Sequence, residues 1–252
     1  MTEEPILEVQ DLVKRFGGIT ATDHLSLTVG KGRTHAVIGP NGAGKTTLIG
    51  QLTGEIKPDS GRILFEGNDI VGVPAHKRPH LGVARSFQIT SIFPSFSVID
   101  NVSLAVQAHQ GHSFRFWRNA AIDPLLTMPA MDRLVQVGLD HRAETLAANL
   151  AHGEKRQLEI AMALATRPRL LLLDEPMAGM GTTESARIVS LLKRLRGSVS
   201  ILLIEHDMDT IWALADDVTV LVYGRAIASG PPSEIRNDKA VQEAYLGGEG
   251  AL

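Results

Sequence analysis

The chain has 252 residues, 44% of them hydrophobic, a net charge of −3 and no cysteine. That length and composition suit one large packed domain, or a core with an inserted lobe. The charge argues against broad electrostatic binding to nucleic acid, and the missing cysteines exclude disulfides and thiolate metal sites.

In chain order, Met1-Thr2-Glu3-Glu4-Pro5 is acidic rather than apolar and is not expected to be a secretory signal. Nowhere does an uninterrupted apolar run approach the ~20 residues a bilayer span needs, so a soluble chain is expected, one that meets a membrane only through a partner. Ile6 to Phe16 carries short strand patterning with a polar break, and Leu25, Leu27 and Val29 alternate with polar residues as in a half-buried strand. Phe16 falls in a loop between these strands, either as a π-face for a base or as a core phenylalanine. His35-Ala36-Val37-Ile38 reads as a buried strand, Thr46 to Leu52 as the first turns of a helix, and Arg62 to Asp69 as a strand running into a turn. Early strands outside a βαβ rhythm suggest an antiparallel sheet beside the core.

Between that strand and helix lies Gly39-Pro40-Asn41-Gly42-Ala43-Gly44-Lys45-Thr46-Thr47, which fits the phosphate-loop pattern G-x-x-x-x-G-K-[ST] in the strand–loop–helix context it requires. The glycines let successive backbone N–H groups point at phosphate oxygens, and the helix N-terminus adds partial positive charge. Lys45 suits the β- and γ-phosphates, and the Thr46 hydroxyl suits a magnesium ion.

The middle of the chain changes character. Val83 to Phe87 reads as a short strand leading to Gln88, whose amide oxygen suits a magnesium or water contact. Val98 to Ala108 and Met131 to Val137 have helical apolar spacing. His109 to Ala130 between them is irregular and carries Phe114, Phe116 and Trp117 beside Arg115 and Arg118, either a surface loop with locally packed aromatics or a partner contact. Leu150-Ala151-His152-Gly153-Glu154 precedes a helical run through Leu164, and its N–H groups form either a second phosphate seat or an ordinary helix start.

The end returns to α/β alternation, with strands at Arg169–Leu173, Ser200–Ile204 and Val218–Val222, a helix at Thr183–Arg196 and a last helix from about Asp238 to Leu246. Leu170-Leu171-Leu172-Leu173 is a continuous apolar run, as in a parallel strand buried on both faces. It ends in Asp174-Glu175. Ligands in open α/β sheets sit at the carboxyl ends of strands, so Asp174 is placed to hold magnesium and Glu175 to take a proton from an attacking water. Ile201-Leu202-Leu203-Ile204-Glu205-His206 repeats the design and brings His206 to the same edge.

Together these residues resemble the ATP-binding subunit of ABC transporters over nearly the whole chain. Phe16 resembles the aromatic that stacks on adenine, Gly39 to Thr47 the Walker A loop, and Gln88 the Q-loop. Leu150 to Glu154 resembles the signature segment, Asp174-Glu175 the Walker B end, and His206 the switch histidine. The resemblance implies a RecA-like P-loop NTPase core of α/β class with an antiparallel β-subdomain and an inserted α-helical subdomain. Residues 1–87 and 155–252 would form the core with its β-subdomain, and 88–154 the helical lobe. It implies ATP and Mg2+ as ligands, and a second ATPase subunit, same or sister, that lends Ala151, His152, Gly153 and Glu154 across a head-to-tail dimer. Transmembrane permease subunits would dock near Gln88 to Asn101, with Phe93 and Phe96, on the cytoplasmic face of the bacterial inner membrane. A solute-binding protein would act indirectly, and no nucleic acid is expected.

Two positions depart from the pattern. Ala151 stands where a serine is usual, removing a hydroxyl cap that is typically worth ~1 kcal/mol, and His152 replaces a glycine and offers a donor. Gly181 stands where the segment after Walker B usually has aspartate. Lys14 to Gly18, Gly153 to Ala161 and the ending Ala244-Tyr245-Leu246-Gly247 are similar to the branched-chain amino acid importer ATPases. Urea and short-amide importers share much of this pattern. Lipopolysaccharide extraction, a non-transport ABC ATPase and a non-catalytic nucleotide-gated module are the other readings.

Overall fold

The computed structural model describes residues 4–86, 92–111 and 123–246. The chain opens with two long antiparallel strands, β1 (Pro5–Phe16) and β2 (Ile19–Gly30), turned at Gly17-Gly18. The polar break in β1 is a bulge and not an end. The register shifts between Val9 and Leu12, Asp11 takes φ 53°, and its N–H is satisfied by the Ser26 hydroxyl at 2.9 Å. Phe16 is therefore the last residue of a strand, paired with Ile19, and not a loop residue.

Next come β3 (Thr34–Ile38) and α1 (Lys45–Thr53), followed by β4 (Ser60–Phe65) and β5 (Asn68–Asp69). A sheet of order β2-β1-β4-β5 results, all antiparallel. The single-turn helix α2 (Arg78–Leu81) leads into β6 (Val83–Ser86). No periodicity announces α2. Its purpose is visible only in three dimensions, where the buried Arg78 guanidinium donates to the carbonyls of Gln51, Leu52, Ile70 and Val73 and so ties down the C-terminal end of α1.

Two helices follow, α3 (Val98–Gln110) and α4 (Pro124–Val137). The latter starts seven residues before the expected Met131. Asp123 caps it by accepting from Leu125 N–H at 3.1 Å, and Pro124 takes the first helical position. Exposed Leu125 and Met128 on its outer face blur the apolar period. Phe114, Arg115, Phe116, Trp117 and Arg118 lie outside the described residues, as does Gln88.

The remainder is α5 (His152–Ala165), β7 (Leu170–Asp174), α6 (Thr182–Leu195), β8 (Ser200–Ile204), α7 (Met208–Leu214), β9 (Asp217–Val222), β10 (Arg225–Gly230), α8 (Pro232–Ile235) and α9 (Lys239–Leu246). The edge strand β10 was not readable from pattern, because most of its short sequence RAIASG is exposed.

The second sheet has the order β10-β9-β3-β8-β7-β6, parallel except for the β9–β10 hairpin. Its central strands are covered on both sides. Leu170, Leu172, Leu202 and Ile204 face the antiparallel sheet and α1. Leu171, Leu173, Ile201 and Leu203 face the helices α3, α5 and α6. None of these eight side chains is more than 1% exposed, so each contributes about 2 kcal/mol of burial. This two-sided burial is the reason the strands read as unbroken apolar runs. The carboxyl ends of β3, β8 and β7 therefore lie side by side at one edge.

Candidate functional site

The phosphate loop leaves β3 after Ile38 and enters α1 at Lys45. Two glycines are required by close backbone approach. A Cβ on Gly39 would stand 2.1 Å from the Leu221 carbonyl oxygen, and one on Gly44 would stand 2.2 Å from that of Ala21, both at positive φ. The loop is braced from outside its own sequence: Gly224 N–H donates to the Ala43 carbonyl, and Asp23 N–H to that of Gly224, each at 2.9 Å. Gly44 is the N-cap of α1 and supplies no side-chain acceptor to the first N–H groups of the helix. Lys45 bends back on the loop, donating to the carbonyls of Gly39 and Pro40. Burial lowers its pKa, opposed by the charges of Glu175 and Asp174. The two carboxylates stand on the sheet edge from which the loop leaves β3, where their charges favour the protonated lysine.

Asp174 closes β7 at 2% exposure. Burial raises its pKa, and Arg85 pulls it the other way. Glu175 follows in a left-handed conformation, φ 45°, with its N–H on the Ile204 carbonyl at 2.9 Å. A non-glycine residue held there is strained, a feature that clusters at functional sites. His206 leaves β8 on the same edge, with Nδ1 4.0 Å from a Glu175 oxygen and an exposed ring.

Phe16 is half exposed at the tip of the β1–β2 hairpin, with the Lys14 ammonium 5.4 Å from its ring centroid. The hairpin continues to Ala21, whose carbonyl touches the Gly44 end of the loop, so the ring stands on the element that braces the phosphate loop.

Ala151 is the N-cap of α5 and accepts no side-chain bond, as its lack of a hydroxyl dictates. Half of a capping box survives: the Glu154 carboxylate accepts the Ala151 N–H at 2.9 Å and also pairs with Arg142 at 3.3 Å. Ala151 and His152 are exposed. The His152 Nε2–H donates to the Ala178 carbonyl at 3.2 Å, and Gly153 N–H reaches Glu184 at 3.4 Å. Gly181 is the N-cap of α6, again without a side-chain bond.

Three participants escaped the sequence reading. Arg156 of α5 donates to the carbonyls of Pro176 and Glu175 at 3.1 and 3.3 Å and pairs with Glu159 at 2.8 Å, so the helix behind Ala151 grips the turn that carries Glu175. Glu205, 1% exposed, accepts N–H bonds from Met177 and His206 at 3.1 Å and joins the ends of β7 and β8; burial raises its pKa, with those bonds opposing. Arg85 of β6 bonds Asp174. The usable signal for Arg85 and Glu205 was a charged residue set inside or just after an apolar run; Arg156, in the polar stretch Gly153 to Gln157, had none.

A glycine cradle on a helix N-terminus, with a lysine and two carboxylates at the carboxyl edge of a mostly parallel sheet, defines a P-loop nucleoside triphosphatase of the α/β class. Within that class the chain belongs to the ABC transporter family, an ATPase family, whose model matches residues 22–178. A second model, described as branched-chain amino acid ATP-binding cassette transporter, matches residues 227–251. The chain is 38% identical to BraF of Pseudomonas aeruginosa, a high-affinity branched-chain amino acid transport ATP-binding protein, across 96% of this chain and 98% of the relative. It is equally 38% identical to LivG of Escherichia coli K12, described in the same words, across 97% and 98%. The solved structure of MJ1267, an ATP-binding cassette of an ABC transporter in its ADP conformation, superposes with TM-score 0.86 and 30% identity across 97% of this chain and 99% of that one.

Proposed function

We propose that this chain is the ATP-hydrolysing subunit of an importer for branched-chain amino acids. The observation that carries the reading is that Asp174 and Glu175 end β7 on the same sheet edge from which the Gly39–Gly44 cradle leaves β3, near enough for both charges to act on Lys45. The substrate class is supported by BraF, LivG and the match at residues 227–251.

The residues suit magnesium only in company with a nucleotide. Among the described residues no three His, Asp or Glu side chains converge on a cation, so Asp174 and the Thr46 hydroxyl would hold the ion together with phosphate oxygens, as is usual for Mg2+. Gln88 is a further candidate ligand. When bound, Mg2+ supplies charge neutralisation on the β- and γ-phosphates.

The chain's own groups divide the rest of the work. Backbone N–H groups from Gly39 to Thr47 bind the phosphates, and Lys45 offsets charge developing on the transferred phosphoryl. Glu175 accepts a proton from the attacking water, with His206 beside it on the γ-phosphate side. Phe16 stacks on adenine.

Ala151, His152, Gly153 and Glu154 complete the site of a second ATPase subunit. Their support is their position: two are exposed, and all sit on a helix start anchored to Arg142, Ala178 and Glu184 and not to the phosphate loop. ATP would then close a dimer, and hydrolysis would open it.

No helix among the described residues is long and apolar enough to cross a membrane. Attachment at the cytoplasmic membrane face falls to permease subunits. Phe93 and Phe96 form an exposed pair, ring centroids 5.6 Å apart, held by the buried Asn101, which bonds both the N–H and the carbonyl of Phe93. Such an exposed aromatic pair on a fixed loop suits a partner helix.

Glu175→Gln tests the mechanism. The variant should bind Mg·ATP, accumulate as a closed dimer on size exclusion, and hydrolyse ATP about 10²–10⁴-fold more slowly. Hydrolysis at the parent rate would sink the assignment of Glu175 as base.

A further inference from the structure

We propose that Arg85 is a positioning residue that fixes the Asp174 carboxylate for magnesium. The inference rests on the ATPase reading above. Arg85 lies on β6 in register with Leu172 of β7, so its side chain runs along the strand toward the carboxyl edge. The Nη2 group donates to Asp174 Oδ2 at 3.2 Å, and Nη1 donates to Glu55 Oε2 at 2.8 Å. The guanidinium is 12% exposed and Asp174 3%.

This fork joins three elements. Glu55 follows the C-terminal cap of α1, the helix that carries Lys45 and Thr46. Asp174 ends β7. Arg85 itself stands three positions before Gln88. One planar group thus ties the far end of the phosphate-loop helix to the metal carboxylate. A lysine cannot copy this arrangement, because a single ammonium cannot hold two carboxylates in a fixed plane. The bond to Oδ2 pins one oxygen and leaves the other for the cation. Carboxylates that ligate metals are oriented by such outer partners, and losing one typically costs 10–100-fold in metal affinity. Arg85 also borders a cleft of about 480 Å³ shared by α2, α3 and α5, with Glu55, Ser86 and Glu159 on its wall. Its Nε is buried and without a bonding partner there.

The test uses the full chain and its Arg85→Gln and Arg85→Lys variants, checked for folding by thermal melting. A fluorescent ATP analogue is bound first in EDTA, then titrated with Mg2+. Metal-free nucleotide affinity should match the parent in both variants, because the cradle is untouched. The Mg2+ concentration at half-maximal enhancement should rise about tenfold in R85Q, with R85K between R85Q and the parent. A parent-like midpoint in folded R85Q overturns the proposal. So does a lower midpoint, which would mean that the guanidinium competes with the ion. Should R85Q not fold, R85K decides: a parental midpoint overturns the proposal and a raised one supports it. Failure of the parent itself to bind nucleotide refutes the ATPase reading, an outcome separate from a parent that binds and variants that do not differ.

Discussion

Acidification should destabilise this protein through a histidine that takes no part in hydrolysis. His35 is the second residue of β3, three positions before Ile38, where the phosphate loop leaves the strand, and is 2% exposed. Its Nε2 pairs with the Thr219 hydroxyl at 2.8 Å, which in turn meets the Ser229 hydroxyl at 2.8 Å, while Nδ1 is buried with no partner. Desolvation lowers its pKa from 6.5 to about 4, against the pull of Asp217 and with a smaller push from Arg33. The unfolded chain therefore takes up the proton first. The stability that His35 contributes is fully present above pH 6.5 and is lost as pH falls toward 4. Linkage between these two values gives a loss of about 2 kcal/mol at pH 5 relative to pH 7.5. The buried carboxylates Glu159, Asp174 and Glu205, all with raised pKa, act with the opposite sign. The comparison must therefore be with His35→Gln, in which they cancel. In urea unfolding at the two pH values, the parent should lose about 2 kcal/mol more than the variant, a midpoint difference of roughly 1 M. Parallel losses in parent and variant would show that His35 is not the neutral buried group described above.

Three further outcomes are expected. Phe16→Ala should weaken ATP binding without moving the thermal midpoint, because the ring is half exposed at the hairpin tip; isothermal titration and a melting curve decide it. His152→Ala should lower ATPase activity of the assembled transporter more than it lowers folding stability, since the exposed imidazole makes one bond, to the Ala178 carbonyl; equal activity would remove the idea. Arg78→Met should cost about 3 kcal/mol or more in chemical denaturation, because four carbonyls, three of them on buried residues, lose a charged donor.

Elements whose information is local were legible. The phosphate loop depends on glycines and a lysine within nine consecutive residues, and its strand and helix appear where that context demands. Ser200–Ile204 was read to the residue, and the strand ending in Asp174 to within one, because two-sided burial leaves an unbroken apolar signature. Phe16 was misplaced because a strand with a bulge breaks its own alternation. The start of α4 was late because Asp123 and Pro124 mark it by capping and not by period. The strand β10 gave no signal, since an exposed edge needs no apolar face.

The sequence by itself determined that a phosphate-loop motif is present, that apolar strands end in carboxylates, and which family the chain joins. It could do so because those features are written in neighbouring residues, each shaped by its own backbone. Only the tertiary structure decided who holds them. Arg85 meets Asp174 across 89 positions, Arg156 grips the turn of Glu175, Glu205 links two strand ends, and the Gly224 turn props the loop at Ala43. Such partners are chosen by strand order and by burial, which force each charged or polar group to find a neighbour in space, and no spacing along the chain records that choice.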